Sequence, residues 1–598
     1  MFADIPSFVA RLRAEGELVE IDAEVDPNLE IAEIHRRVIA AGGPALLFKR
    51  PRNASFPVVT NLFGTKKRVD LAFGPRPQKF VQRAVGLLHE MFPPTLGKLW
   101  ENRDFFWQAT GLGTSNVSSG AVTENVTFRG GLDGIPMLKS WPLDGGDFIT
   151  LPLVYTEHPE TKQHNLGMYR IQRHSDATTG MHWQIGKGGG FHHHVARERG
   201  EDLPVTVFVG GPPALVLAAI APLPENVPEL VLASLLLGER LPMCRNPAGP
   251  HRLVANAEFA LVGRVTPSRT QPEGPFGDHY GFYSLQHDYP VFELDALCHR
   301  RDAIWPATVV GKPRQEDLYI GDYLQELLSP LFPVVMPSVK DLWSYGETGY
   351  HALAGAVVVE RYRREAMQAA FRILGEGQLS LTKFLWVTGG AVDLRDAKAT
   401  LAYILARFHP ETDLYVMSNV SMDTLDYTGP GVNQGSKGIM LGLGEPWRTL
   451  PRGFEGNLPP GVTEAAAFCD GCLCVSGPAF EEDRGFAQVV AEKFPDWPLV
   501  VLCDDPKRAA STQTRFLWTT FLRFEPAADL YATRTRVNRH HLVYEGTIVI
   551  DARAKPHHPP VVANDPDTAK LVDRRWAEYF PAGNVEMGDG EAAHLDQA

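Results

Sequence analysis

Cysteine is scarce, at six residues in 598. That excludes a disulfide scaffold and makes a reducing cytoplasm the expected compartment. Long apolar runs are missing too. The longest, such as PALVLAAIAPLP (213–224), are too short to cross a bilayer, so no integral membrane segment is expected. The start, MFADIPSFVARLRAEGELVE, has no basic stretch followed by an apolar one, so no signal peptide is expected. Charge of one sign is nowhere concentrated, although the net charge is -13. Neutralising phosphates takes clustered Lys and Arg, which argues against nucleic acid as the main partner. A small anionic substrate stays open, because locally placed arginine decides that.

What is present reads as a soluble globular protein of several domains. Residues 1–115 open with a helix, a strand and a second helix, whose apolar positions Ile31, Ile34 and Val38 follow helical spacing until Gly42-Gly43 ends it. A Phe- and Pro-rich stretch near 75–115 reads as a connector. Residues 116–325 are rich in short strands and turns. NLGMYRIQ, PVTVFVG, AEFALVGRV and PVFELDAL are strand-like, with one helix at VPELVLASLLLGE (227–239). This texture predicts a β-barrel or sandwich. From 326 onward strands and helices alternate. Residues 384–416 are echoed by 500–532: RFHPETDLYV and RFEPAADLYA share Arg, Phe, Pro, Asp, Leu and Tyr in register. The expectation is an α/β domain over 326–455, then an extension over 456–598 that partly repeats it and ends in a mobile tail, MGDGEAAHLDQA.

Chemistry concentrates in the centre. In QPEGPFGDHYGFY (271–283), Glu273 and Asp278 bracket Gly274, Pro275, Phe276 and Gly277, with no Lys or Arg beside them. A working pair of acids needs a cation from elsewhere in the chain. HNLGMYRIQRHS (164–175) offers Asn165 and Arg170; GMHWQIGKGGGFHHH (180–194) offers His182, Gln184 and Lys187; a predicted helix carries Glu229. Asn, His and Glu make a plausible oxygen–nitrogen site for Mn²⁺ or Mg²⁺. Each also has a plain reading: a turn residue, a satisfied core histidine, a solvated helix position. GKGGGF is a loop whose N–H groups suit a phosphate, with Lys187 as a point charge, but such turns are common between strands. FHHHV reads as a strand, where three successive histidines cannot meet one ion. CDGCLC (Cys469, Cys472, Cys474) lacks an obvious fourth ligand and reads as small buried residues in a strand.

In order, the series Asn-x4-Arg, His, Glu and EGPFGD resembles the UbiD family of decarboxylases, which use prenylated FMN. VDPNLEIAEIHRRVIAAGGPALLF, NLFGTKKRVDLAFG and GSKGIMLG are similar to that family as well, and the similarity runs from about residue 5 to 450. The N-terminal half is most similar to 4-hydroxy-3-polyprenylbenzoate decarboxylases. The segment after about 455 departs from the shorter members.

The resemblance implies an α+β and α/β multidomain fold. A central split β-barrel would bind the flavin, between an N-terminal α/β domain and a C-terminal α/β oligomerisation domain with a duplicated extension. It implies prenylated FMN supplied by a separate flavin prenyltransferase, Mn²⁺ (or Mg²⁺) bridging protein and flavin phosphate, K⁺ nearby, and a homo-oligomer, either a dimer or an assembly of dimers. By position Asn165, His182 and Glu229 match the ion ligands. Met168, Tyr169, Arg170, His182, Trp183, Gln184, Lys187, Gly188 and Lys437 match flavin contacts. Glu273, Arg170 and Asp278 match the catalytic acid–arginine–acid network, so the missing cation is Arg170.

An arginine fork can hold both acids at once, and they then titrate as a coupled set. Burial and a second carboxylate are expected to leave one proton available near neutral pH. On a regular strand Asn165 and Arg170 would face opposite sides, so a turn or bulge is expected within 165–170, at Gly167. The activity implied is reversible, non-oxidative decarboxylation of an aromatic or α,β-unsaturated carboxylic acid, with Asp278 as proton donor. The rivals are an FMN-dependent oxidoreductase and a non-catalytic scaffold.

Overall fold

The structure, a computed structural model, describes residues 1–90, 95–183, 188–222 and 228–590. The chain forms two units. One holds Met1–Leu327 and the described chain from Val561 onward; the other holds Leu328–Pro560.

The first unit opens with helix Ile5–Ala14, capped by Asp4, whose carboxylate accepts the Ser7 N–H at 2.9 Å. Strand Leu18–Val25 and helix Glu30–Ala40 follow in the expected order. That strand pairs with Ala45–Pro51, which continues to Val58–Thr60 and Trp305–Pro306 in a four-stranded sheet. The stretch near 75–115, expected as a connector, is instead helical in its described part: Arg76–Glu90, Leu96–Glu101 and Arg103–Thr110. Pro77 falls in a first helical turn, where a missing N–H costs nothing. Phe80, Val81, Ala84, Val85 and Leu87 keep helical spacing behind it.

The centre is a nine-stranded antiparallel sheet. Its main path is Phe148–Ile149, Ile171–Ser175, Thr178–Gly180, His287–His299, Phe259–Glu273, Leu203–Val209, Pro152–Glu157 and His164–Gly167. Asn125–Phe128 joins the free flank of His287–His299. The histidines expected on a strand, His192–His194, lie on helix Gly188–Arg199. Val-Ala-Arg-Glu-Arg after them favours helix, and Gly200, with φ +68°, stops it. Around that helix the rings diverge: His192 Nδ1 meets Thr156 Oγ1 at 2.9 Å, while His193 lies 4.9 Å from the Trp183 ring.

One apolar core joins Ile21, Ile31, Ile34 and Phe48 to Val205, Val207, Phe259 and Phe292, and takes in Val572 and Tyr579 from the far end of the chain. The expected 456–598 extension therefore does not run as one piece. Helix Pro566–Tyr579 returns to the first unit and packs on helix Glu30–Ala40, with Arg575 Nη1 2.5 Å from Glu30 Oε1. Part of the expected mobile tail is docked there: the Gly588 N–H donates to Arg37 O at 3.1 Å. Residues 591–598 of that tail lie outside the described residues.

The second unit holds two five-stranded sheets. The first runs Val339–Ser344, Leu353–Val358, Phe384–Thr388, Gly435–Gly442, Leu414–Val420; the second runs Glu464–Cys469, Cys472–Ser476, Leu499–Leu502, His541–Asp551, Leu530–Asn538. In each, the successive pairings are antiparallel, parallel, parallel and antiparallel.

Candidate active site

Glu273 is the last residue of the long strand Phe259–Glu273 and is fully buried. The chain then turns through Gly274–Gly277 to Asp278. This turn is held from outside. Gly274 N–H donates to Gln172 Oε1 at 2.8 Å, and Gly145 N–H donates to Pro275 O at 2.8 Å. Gly277 N–H donates to Asp144 Oδ1 at 2.7 Å. The other oxygen of Asp144 accepts the N–H groups of Ser140 and Trp141 at 3.0 and 2.9 Å. Burial pushes the Asp144 carboxyl up to about 6 despite these bonds. A Cβ at Gly277 would stand 2.2 Å from Trp141 Cδ1, so only glycine lets the ring close over the turn.

Arg170 comes from a connection between two other strands of the same sheet. Strand His164–Gly167 stops at Gly167 and the next begins at Ile171, so Met168, Tyr169 and Arg170 form the expected break. A Cβ at Gly167 would sit 2.5 Å from the Tyr169 ring, which explains glycine there. Arg170 then meets both acids. Its Nε donates to Glu273 Oε1 at 2.8 Å and its Nη2 to Glu273 Oε2 at 2.9 Å, while Nη1 donates to Asp278 Oδ2. Nη2 also donates to Ser284 Oγ at 2.8 Å, and the guanidinium carbon lies 4.9 Å from the centre of the Phe276 ring. The Asp278 Oδ1 atom accepts the His279 backbone N–H at 2.8 Å and meets His279 Nδ1 at 2.8 Å.

These contacts set the charges. Burial pushes the Glu273 carboxyl up, but Arg170 and the hydrogen bonds from His182 and Arg170 outweigh it and bring it down to about 2. Burial also raises Asp278, and the His279 hydrogen bond with the Arg170 charge takes it well below the usual carboxylate range. The expectation that one acid keeps a proton near neutral pH is therefore corrected. With a bidentate arginine on one and two N–H donors on the other, both are ionised. His182 is kept neutral, chiefly by burial and then by Arg170; its Nδ1 lies 3.1 Å from Glu273 Oε2 and its ring 4.3 Å from that of Tyr289.

The residues expected to hold an ion and a flavin divide into two neighbouring groups linked by the Tyr169–Arg170 peptide. Asn165 and Glu229 belong to the first. Glu229 begins helix Glu229–Leu237, and its Oε2 accepts the Leu166 N–H at 3.2 Å. Gly188 presses on Asn165: a Cβ there would stand 2.0 Å from Asn165 Oδ1. Asn165 Nδ2 is buried with no hydrogen-bond partner among the described residues. Tyr169 takes part through its hydroxyl, which accepts the Gly189 N–H at 3.4 Å. Trp183 Nε1 is likewise buried and unpartnered among the described residues, and a Cβ at Gly189 would stand 2.9 Å from it. His182 belongs to the second group, with Glu273. Among the described residues no three His, Cys, Asp or Glu side chains cluster to hold a metal. Gln184 and Lys187 lie outside the described residues.

Lys437 lies in the second unit, on strand Gly435–Gly442. Its ammonium donates to the Ser380 and Thr382 carbonyls at 2.7 Å each, and burial lowers its pKa to about 8. Cys472 and Cys474 are buried on one hairpin strand and Cys469 is partly buried on the other; all are free thiols.

Sequence reasoning missed Asp144, Gln172, Ser284 and His279. The first two act on backbone N–H groups, which leave no side-chain pattern. His279 carried a usable signal, its place directly after Asp278.

Known proteins are similar to this chain over most of its length. Residues 9–88, 115–313 and 318–442 match the N-terminal, Rift-related and C-terminal domains of 3-octaprenyl-4-hydroxybenzoate carboxy-lyase. A Chlamydia pneumoniae protein named as part of a 4-hydroxybenzoate decarboxylase is 49% identical over 576 residues, covering 96% of this chain and 98% of that one. The fold is that of vanillic acid decarboxylase from Sedimentibacter hydroxybenzoicus in its closed form (TM-score 0.66, 23% identity, 77% of this chain and 96% of that one). It is also that of an evolved dimeric form of the UbiD-class enzyme HmfF from Pelotomaculum thermopropionicum in complex with prenylated FMN (TM-score 0.61, 22% identity, 77% and 98%). Among the described residues no helix is long and apolar enough to cross a membrane. With three matched domains and a relative aligned over 98% of its length at nearly half identity, the chain belongs to the UbiD family of carboxy-lyases, which are decarboxylases.

Proposed function

We propose that this chain catalyses the reversible, non-oxidative decarboxylation of an aromatic acid, of hydroxybenzoate or heteroaromatic type, or of an α,β-unsaturated acid, with prenylated FMN. The observation that carries this reading is the single guanidinium of Arg170 gripped by Glu273 and Asp278 together. The nine-stranded sheet reads as the split barrel of the flavin domain, and residues 456–560 as a second copy of the α/β unit before them.

The residues present fit the implied groups. Helix Gly188–Arg199 opens with three glycines, whose backbone a phosphate can approach closely, although the Gly189 N–H also donates to the Tyr169 hydroxyl. The orphaned Trp183 Nε1 offers a further donor beside them. Asn165 and Glu229 offer oxygen donors beside that helix start, with neutral His182 as a nitrogen donor, a set suited to Mn²⁺ or Mg²⁺. When bound, prenylated FMN supplies the electron sink that loss of CO₂ from an sp² carbon requires.

The chain's own part is position and proton. Arg170 orients the substrate carboxylate. That new anion draws on the guanidinium and adds a like charge beside Asp278, and both effects raise the Asp278 pKa from its depressed value. Asp278 then takes up a proton and gives it to the carbon that lost CO₂. Glu273 holds Arg170 in place throughout.

The test is co-expression with a flavin prenyltransferase, then a panel of aromatic and acrylic acids scored for CO₂ release and for exchange of the product C–H in D₂O. CO₂ release and exchange without any redox partner are expected. Turnover that needs a redox partner, or no release from any acid by flavin-loaded protein, overturns the reading.

A further inference from the structure

The two sheets of the second unit match beyond their strand order. Leu414 lies opposite Met440 in the first, and Leu530 opposite Ile550 in the second. Each edge strand is preceded by the same capped turn. His409 N–H donates to Asp413 Oδ2 at 2.9 Å, and Glu525 N–H donates to Asp529 Oδ2 at 2.7 Å.

The helices then cross over reciprocally. Helix Pro410–Asp413, from the first copy, lies on strand His541–Asp551 of the second; helix Pro526–Asp529, from the second, lies on strand Gly435–Gly442 of the first. Helix Ala397–Leu405 lies against strand Glu464–Cys469, and helix Gln513–Phe521 lies against the turn Gly346–Thr348, which follows the corresponding strand Val339–Ser344. The first pair of contacts is reciprocal, and the second meets a strand on one side and the turn after the corresponding strand on the other. That is the signature of an isologous, two-fold contact.

The contact is buried and largely aromatic. Phe384 packs on Phe521 and Phe524 with ring centres 5.9 and 5.6 Å apart, and Trp386 meets Phe521 edge-on at 5.4 Å; all four are buried. The Gln513 amide is used at both ends. Its Oε1 accepts the Ala397 N–H at 2.8 Å and its Nε2 donates to Arg395 O at 2.9 Å. Ala527 N–H donates to Ser436 Oγ at 2.8 Å.

The second copy has no counterpart of Lys437. The register that sets Met440 against Ile550 sets Lys437 against Thr547, whose hydroxyl is spent on Phe494 O at 2.7 Å. The second copy is thus a partner rather than a second site. Its contact at Ser436 braces the strand that carries Lys437.

We propose that residues 456–560 are the resident two-fold partner of the first α/β copy, that they fill within one chain the surface by which a one-copy chain would self-associate, and that the full-length protein is therefore a single-chain particle. This differs from the homo-oligomer expected from the family resemblance, and it stands or falls independently of the catalytic reading.

The test uses the full-length chain. Light scattering after size-exclusion chromatography is expected to give a mass of 66.0 kDa at every loading. A two-chain mass overturns the proposal. The double variant Ser436→Cys with Ala527→Cys, oxidised and run denatured without reductant, is expected to close a bond inside one chain. A covalent two-chain product overturns it, because the same contact would then be made between chains.

Discussion

Arg170 and Glu273 are joined at both carboxylate oxygens, Nε to Oε1 at 2.8 Å and Nη2 to Oε2 at 2.9 Å, whereas Asp278 receives only Nη1 of the same guanidinium. The asymmetry assigns roles. A bidentate pair is rigid and resists exchange. A single N–H can be surrendered to an incoming carboxylate without freeing the arginine. Asp278 is also the more exposed acid, its side chain 13% accessible against 0% for Glu273. Glu273 is therefore the anchor and Asp278 the group that can change its proton.

The first prediction concerns Asp278→Asn. The amide keeps the shape and one acceptor oxygen but cannot donate an acidic proton. A positioned general acid contributes roughly 10²- to 10⁴-fold. The variant should keep its flavin content and thermal midpoint and lose turnover by about 100-fold or more, measured as CO₂ release. Unchanged turnover would remove Asp278 from the chemistry.

The second prediction is a pH dependence of stability. Glu273 is brought from 4.5 to about 2 in the fold, by Arg170 and its hydrogen bonds acting against burial. Between those values the folded state binds fewer protons than the unfolded chain. The stabilisation is therefore fully present above about 4.5 and is lost as pH falls through about 2. Glu273→Gln removes this contribution and leaves Arg170 short of a counter-charge. The variant should unfold at a lower temperature than the parent at neutral pH, and the gap should hold down to about pH 4.5 and narrow from there towards about pH 3. A gap that stays constant over that range would mean the ion pair contributes nothing in solution.

Much of this was legible in the chain, and the failures have physical causes. Glu273 and Asp278 stood out because the turn between them carries its own glycines and proline. The break at 168–170 followed from strand parity once the resemblance had put Asn165 and Arg170 at one site. The repeat showed because Arg, Phe, Pro, Asp, Leu and Tyr recur at a fixed offset. Asp144 left no trace, since its partners are backbone N–H groups set by the turn at Gly277. The histidines at 192–194 were misread because the three glycines before them hid a helix that its later residues and its packing sustain. The return of Pro566–Tyr579 was hidden for a different reason. An amphipathic helix announces that it packs, but not that its neighbour is Glu30, more than five hundred residues earlier.

The third prediction follows from His279. Its Nδ1 lies 2.8 Å from Asp278 Oδ1, on the oxygen that Arg170 does not use. Each turnover spends the Asp278 proton on product carbon, and the carboxyl must be recharged before the next. An imidazole in contact with that oxygen is a group able to carry that proton. The His279 backbone N–H holds the same oxygen at 2.8 Å, so Asp278 stays in place without the ring. His279→Ala should therefore keep flavin binding and slow turnover by about tenfold or more. Imidazole added to the buffer should restore part of the loss, in proportion to its concentration. A structural role for the ring predicts a different outcome, a slow variant that imidazole cannot help. A fast variant would mean that solvent recharges Asp278 directly.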